Sequence, residues 1–464
     1  MNAMLLTKPE AADDAVCFLP ATELAEAYRR RTLSPVEVTE RMLARIAAIN
    51  PTLKAYYETD PEGARTAAKA SAARWSKASP AGPLDGVPVS IKDHLQTKGL
   101  SNPRGSFLNA LTPSDFDSPV AARLRESGAV ILGKTTMPEL SVIPVTTSVA
   151  FGATLNPWDL SRSPGGSSGG AAAALAAGLS TLAVGSDGGG SIRLPAAFTG
   201  VFGLKPTLGR VPYWPGATDR TVAGPIARTA ADAGLMMNVI ARPDGRDWME
   251  LPPDETDYRA AAARPVAGLR IGYSRDFGFA KVAPDVARAV ERGVAQLREA
   301  GCAVEEVGPV GFDVFEIYMI QAGMRLAATR DATDPAALAK FPRAVLSVLD
   351  FAERITVADV QRMIDGRNKL ADALLALFRR FDAIVSPTAP VEAPPLGDFY
   401  PESEIDSAAN RNLIAFTAPF NLVHMPAVSA FCGVSERGLP VGLQIAGAKF
   451  SDATLLALGA RVTG

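Results

Sequence analysis

The chain has 464 residues, 47% of them hydrophobic, and a formal net charge of −2. That suffices for a large buried core, in several domains or in one large α/β domain. No basic block stands out, so neither nucleic acid nor an anionic membrane is an expected partner. The three cysteines, Cys17, Cys302 and Cys432, lie far apart without a CxxC pair, which argues against a structural zinc site or a disulfide framework and fits a reducing compartment.

The N-terminal stretch MNAMLLTKPEAADD has no basic start leading into an apolar core, so no signal peptide is expected and a cytoplasmic location is. Residues 21–31 and 34–49 read as helices. The second opens on Ser34-Pro35-Val36-Glu37, with serine suited to the N-cap, proline to the first turn and glutamate to the return bond of a capping box. GVPVSIKD (86–93) reads as a short buried strand ending at Lys92. SPVAARLRESGAVILGKT (118–135) predicts a helix, a glycine stop and an apolar strand. ALAAGLSTLAVGSD (174–187) and PDVARAVERGVAQLREAGCAVEEV (284–307) repeat that pattern. The apolar run at 171–185 is broken by Gly178, Ser180 and Thr181, so it predicts a packed helix leading into a strand and not a membrane span. FDAIVSPTAP (381–390), AVSAFCG (427–433) and PVGLQIAG (440–447) read as further buried strands. Strands alternating with helices predict an α/β fold, a mixed or largely parallel sheet covered on both faces. Residues 94–117 and 385–410 read as long, functional loops. The charged, proline-bearing stretch 242–267 reads equally well as a surface linker or an ordered excursion.

Several kinds of chemistry compete for the glycine-serine loops. SPGGSSGG (163–170) matches the nucleophile-elbow spacing G-x-S-x-G at Gly165, Ser167 and Gly169, but the loop NPWDLSRSP stands before it where an elbow needs a strand. The two histidines, His94 and His424, read as packed or surface residues, which leaves a Ser-His-Asp triad without a convincing base. No G-x-x-x-x-G-K-[ST] is present, and Arg193 stands where G-x-G-x-x-G would need its last glycine. VGSDGGGSIRLP (184–195) therefore does not read as a phosphate loop; a linker or the cradle of a nucleophilic serine stay open, and what remains is Lys92 at a strand end with Ser167 and Ser191 in two glycine loops.

GVPVSIKD, NPWDLSRSPGGSSGGAAAALAAG and VGSDGGGSIRLPAAFTGVFGLKPTLGRVP, followed by GPIARTAADA, IVSPTAP and NLVHMPAVSAFCG…GLPVGLQIAG, together resemble the amidase signature family from about residue 20 to 460. The resemblance implies an amidase signature fold in a single domain 1–464: a core at 65–240 with the catalytic motifs, N-terminal helices 20–64 packed on it, and 265–464 completing the sheet. It implies a metal-free, cofactor-free amidohydrolase acting on a small-molecule amide, with a homodimer left open. Lys92, Ser167 (reached through a cis peptide bond) and nucleophilic Ser191 match the family's triad. Gly188, Gly189, Gly190 and Ser191 would supply oxyanion donors, with Ser168, Asp187 and Arg193 as supports and Ser186 a second hydrogen-bonding serine. Gly188 departs from the bulkier residue common there. An unshifted lysine is protonated at neutral pH, and desolvation is the force that lowers it. The family also contains the glutaminase-type subunits of tRNA-dependent amidotransferases, the alternative reading; a non-enzymatic binding protein fits less well. Residues 137–147, 212–219 and 385–424 are expected to line the acyl pocket. Tyr213, Trp214, Phe416 and Phe420 read either as pocket or as core. No arginine cluster is visible in the sequence, so the expected substrate is a neutral aryl or alkyl amide.

Overall fold

The computed structural model describes residues 8, 12–106, 111–216, 218–329, 333–399 and 408–464. Its centre is one eleven-stranded mixed sheet. Across the sheet the strands run Tyr56–Thr59, Val130–Thr135, Pro88–Lys92, Leu182–Asp187, Val222–Ala227, Phe202–Lys205, Ala427–Val434, Pro440–Ala446, Ala383–Pro387, Arg270–Tyr273 and Ala303–Glu306. Pro88–Lys92 pairs parallel with both of its neighbours, Val89 standing opposite Leu182 and Ile91 opposite Val184. The ends of these two strands, carrying Lys92 and Asp187, therefore emerge side by side. In open α/β sheets the crevice beyond such carboxyl ends is where ligands collect.

Every strand expected from the sequence is present, and so are the helices expected between them. Ala21–Arg30 and Pro35–Leu53 form as predicted. Ser34 caps the second helix, but its hydroxyl accepts from the Val36 N–H, and the expected return bond from Glu37 is absent. The carboxylate remains within the positive first turn without closing the box. The stretch 242–267 is an ordered excursion. Asp247 accepts from the Tyr213 N–H at 2.9 Å, and a short helix at Tyr258–Ala261 buries Tyr258 and Ala261. Three helices, Phe315–Met324, Arg343–Glu353 and Val357–Phe378, were not anticipated. They pack against the Phe277, Phe416 and Phe420 cluster. Among the described residues no helix is long and apolar enough to cross a membrane, and Cys17, Cys302 and Cys432 are free and buried.

The helix Gly169–Ala176, GGAAAALA, is buried on every side. A helix apolar all round belongs in a core, and here its small residues allow close approach. A Cβ on Gly170 would lie 2.3 Å from Thr136 Oγ1 and 2.6 Å from the Ala55 carbonyl oxygen. This helix fixes the serines that precede it. Gly170→Val should therefore lower stability by about 1–3 kcal/mol, the usual cost of overpacking, measured as a lower midpoint in urea unfolding.

Candidate active site

Lys92 closes a fully buried strand, and its Nζ lies among three hydroxyls: Ser167 Oγ at 2.7 Å, Ser168 Oγ at 2.9 Å and Ser186 Oγ at 3.1 Å. Burial brings the amine down to about 7, against the opposing pull of the Asp187 and Asp93 charges. A fall from 10.5 to about 7 is roughly 5 kcal/mol in favour of the neutral form. Lys134 and Lys205 are equally buried and brought down to about 8 and 7 by the same cause. Their amines meet the Leu95 and Pro206 carbonyl oxygens, with Thr97 Oγ1 at 3.4 Å from Lys134. Low basicity alone does not set Lys92 apart from Lys134 and Lys205; the three serine hydroxyls do, with Ser167 and Ser186 at a cavity wall.

The hydroxyl protons of the cluster have distinct destinations. Ser168 Oγ donates to the Ser186 carbonyl oxygen at 3.1 Å and accepts from the Ser186 N–H at 3.3 Å. Its proton is thus committed to the backbone, and it faces Lys92 as an acceptor. Ser167 has no such backbone partner among the described residues, so its hydroxyl proton is available to the lone pair of a neutral Lys92. The Gly166–Ser167 peptide is cis, as the resemblance implied. A Cβ on Gly166 would lie 2.7 Å from Val145 N.

Ser191 sits at the turn that follows three glycines. Its carbonyl accepts from the Ser168 N–H at 3.1 Å, joining the two loops. Its hydroxyl makes no hydrogen bond among the described residues and borders the same cavity as Ser167 and Ser186. Gly190 adopts φ +130°, and a Cβ there would meet Thr417 Oγ1 at 2.4 Å; a Cβ on Gly189 would meet the Tyr318 hydroxyl at 2.3 Å. One expectation needs correction. The Gly190 N–H, expected among the oxyanion donors, donates instead to Asp187 Oδ1 at 2.7 Å, because that carboxylate caps the turn. The N–H groups of Gly188, Gly189 and Ser191 have no acceptor among the described residues.

Asp187 and Arg193 form a buried pair, with Nε–Oδ2 and Nη2–Oδ1 both at 2.9 Å. The rest of the guanidinium donates to the Thr417 carbonyl oxygen, Gln444 Oε1 and Asn421 Oδ1. Asn421 Nδ2 returns a bond to Asp187. Burial alone would raise the Asp187 carboxyl, but the adjacent Arg193 reverses this and holds it well below the usual carboxylate range. Asp187 and Arg193 thus brace the loop from beneath. Thr417, Asn421 and Gln444 escape a reading of the sequence because each is an isolated polar residue in an apolar stretch; only their convergence on one guanidinium marks them.

The cavity beside Ser191 has two lobes. One is apolar and narrow, about 50 Å³, with Val142, Ile143, Leu194, Phe315 and Met319 among its walls. The other is polar, about 330 Å³, and includes His94, Tyr213, Ser167 and Ser186. Segments 137–147 and 212–219 line it as expected, and of the third expected segment, 385–424, Asn410 and Ile414 do so, while residues 400–407 lie outside the described residues. Of the four candidate aromatics only Tyr213 does so. Phe416 and Phe420 are fully buried against Phe277, and Trp214 lies against Phe116 and Arg246. His94 belongs to the cavity wall, where burial keeps it neutral and its Nδ1 lacks a partner. His424 lies elsewhere, lowered to about 4 by burial. The absence of an arginine cluster is also corrected. Arg104, Arg220 and Arg325, far apart in sequence, all border the polar lobe.

The family model described as Amidase matches residues 37–456. The chain belongs to the amidase family. It is 36% identical to an acylamidase of Rhodococcus erythropolis, covering 95% of this chain and 94% of that one. It is 35% identical to a glutamyl-tRNA(Gln) amidotransferase subunit of Myxococcus xanthus (strain DK1622), covering 94% and 95%. Among solved structures, a bacterial aryl acylamidase of the amidase signature enzymes superposes with a TM-score of 0.89 at 28% identity over 96% of each chain. A 6-aminohexanoate cyclic dimer hydrolase gives 0.86 at 28% over the same share. The mixed α/β architecture is that of the amidase signature structures, and the protein is an amide-hydrolysing enzyme.

A base that works only when neutral makes kcat/KM rise with pH through about 7 and level off above it; Lys92→Met should abolish turnover while leaving the thermal midpoint equal or higher, since an apolar side chain removes the desolvation cost. Asp187→Asn leaves Arg193 buried without its anion and should cost about 3–5 kcal/mol at neutral pH. In the parent chain the depressed Asp187 carboxyl contributes fully above ~3.9 and loses that contribution as the pH falls further; the denaturation midpoint measured against pH reads both.

Proposed function

We propose that this enzyme cleaves a carboxamide C–N bond through an acyl-enzyme on Ser191, with Ser167 and Lys92 carrying the proton. The observation that carries the reading is a fully buried, weakly basic Lys92 amine 2.7 Å from Ser167 Oγ, on the same cavity as a free Ser191 hydroxyl. Ser191 Oγ attacks the carbonyl carbon and passes its proton to Ser167, whose own proton moves to Lys92. The tetrahedral oxyanion is met by the N–H groups of Gly188, Gly189 and Ser191. Lys92, now an ammonium, returns the proton through Ser167 to the departing nitrogen, and the C–N bond breaks. Water then repeats the sequence on the ester, releasing the acid. Fixed donors aimed at developing charge contribute the largest single share in such reactions, about 3–4 kcal/mol per donor. Ser168 and Ser186 hold Lys92 in place, and Asp187 with Arg193 holds the glycine turn; no metal or cofactor enters the scheme.

The kinship with glutamyl-tRNA(Gln) amidotransferase chains supports a second reading, a glutaminase that works with partner chains. Hydrolysis of simple carboxamides by the purified chain alone is the result expected here, and dependence on added partner chains would favour the second reading. A fluorophosphonate probe should label the parent chain and Ser168→Ala but not Ser191→Ala, read by intact mass. Labelling that survives Ser191→Ala would displace Ser191 as the nucleophile.

A further inference from the structure

The polar lobe beside Ser191 is bordered by three guanidinium groups and, among the described residues, by no carboxylate. Arg220 is nearly buried. Its Nη1 donates to the Gly188 carbonyl oxygen at 2.6 Å, and its guanidinium lies 5.1 Å from the centre of the Tyr318 ring. A Cβ on Gly188 would crowd Thr221 Oγ1 at 2.8 Å but would stand in ordinary contact with Arg220 Nη1 at 3.6 Å. Arg325 donates to the Leu140 carbonyl oxygen at 3.1 Å. Arg104 follows a backbone pinned by its own N–H to Asp93 Oδ1 at 2.9 Å. None of the three pairs with an acidic side chain among the described residues. The nearest acid in sequence, Asp219, is engaged by Gln321 and Arg367. Three like charges on one small cavity repel one another and set up a positive potential that an anion relieves. The guanidinium fork is matched in shape to a carboxylate.

The placement of the proton relay gives the substrate a direction. Ser167 borders the polar lobe and is absent from the walls of the apolar one, whereas Ser191 borders both. The nitrogen that leaves must receive its proton from Ser167, so the amine side of the scissile bond occupies the polar lobe and the acyl side the apolar lobe. Arg220 and Arg325 stand where the lobes meet, and Arg104 lies further along the polar one. A carboxylate held there would belong to the amine half of the substrate.

We propose that the enzyme hydrolyses N-acyl amino acids, with a slim aliphatic acyl chain in the apolar lobe and the amino-acid carboxylate held by Arg220, Arg325 and Arg104. This rests on amide hydrolysis at Ser191. The reaction consumes one water: the acyl carbon–nitrogen bond breaks, the carbon gains the water oxygen, and the free amino acid leaves with the proton. It differs from glutamine hydrolysis, in which the carboxylate belongs to the acyl half and the leaving group is ammonia.

The test compares N-hexanoylglycine with N-propylhexanamide, which has the same acyl group and no carboxylate. The expected result is a kcat/KM at least about tenfold higher for the acylglycine, equivalent to ~1.4 kcal/mol, with the advantage shrinking as salt is raised. Arg325→Gln and Arg104→Gln should each lower kcat/KM for the acylglycine several-fold more than for the neutral amide. Equal or faster turnover of N-propylhexanamide, or a preference that both variants leave intact, overturns the inference and leaves amide hydrolysis at Ser191 standing. Hydrolysis of neither compound also overturns it. Fluorophosphonate labelling then decides the underlying reading: a labelled Ser191 keeps it, and an unlabelled one ends it.

Discussion

Lys92 Nζ sits without solvent exposure between three serine hydroxyls, and the surrounding architecture keeps it dry. An ammonium in that position would need a counter-ion in contact; neutral hydroxyls solvate a neutral amine instead. The strand that carries it is buried along its whole length. The helix Gly169–Ala176, stripped to glycine and alanine but for Leu175, packs closely enough to bring Ser167 and Ser168 to it. Asp187 contributes an attractive charge from the neighbouring strand, but its carboxylate is already occupied by Arg193 and the turn. Burial therefore outweighs the attraction, and the amine stays near neutrality instead of returning to its ordinary basicity.

The Asp187–Arg193 pair serves the second half of the site by a different principle. A buried ion pair is a poor source of net stability, because desolvation offsets the Coulomb gain. Here the pair is ringed by partners, Gln444 from one strand, Asn421 and Thr417 from the segment before another, and the N–H groups of the glycine turn. The result is geometric: a turn without side chains is held from below while its outward N–H groups stay free. The Gly190 N–H is committed to this brace, while the N–H groups of Gly188, Gly189 and Ser191 have no acceptor among the described residues.

The cavity walls are built from elements that have little to do with the lysine and glycine-serine motifs. Tyr318, Phe315, Met319 and Arg325 come from or adjoin a helix that no motif announced. Arg104 and Arg220 come from loops, and the Arg220 guanidinium lies 5.1 Å from the Tyr318 ring of that helix. Lys92 and Asp187 end buried strands and Ser167 and Ser168 immediately precede one buried helix, whereas the cavity walls are assembled from distant loops and helices. Variation in those walls would change what is bound without disturbing the amine or the glycine turn.

The alternation of apolar strands with helices, readable as local periodicity, was enough to class the fold and to place the strands ending at Lys92 and Asp187, but it missed Tyr56–Thr59, Phe202–Lys205, Val222–Ala227 and Arg270–Tyr273. The order of GVPVSIKD, SPGGSSGG and VGSDGGGSIRLP carried the resemblance to the amidase signature family, and that resemblance, not composition or spacing, singled out Lys92, Ser167 and Ser191. Periodicity gave weaker notice of the helices from Phe315 to Phe378, whose apolar faces pack against a cluster built from distant parts of the chain. Which aromatics were core, that Gly190 donates inward, and that Arg104, Arg220 and Arg325 share a cavity were all decided by the tertiary structure. The reason is physical: a hydrogen-bond partner and a neighbouring charge are properties of positions in space, and residues more than a hundred apart along the chain show no periodicity that would bring them together.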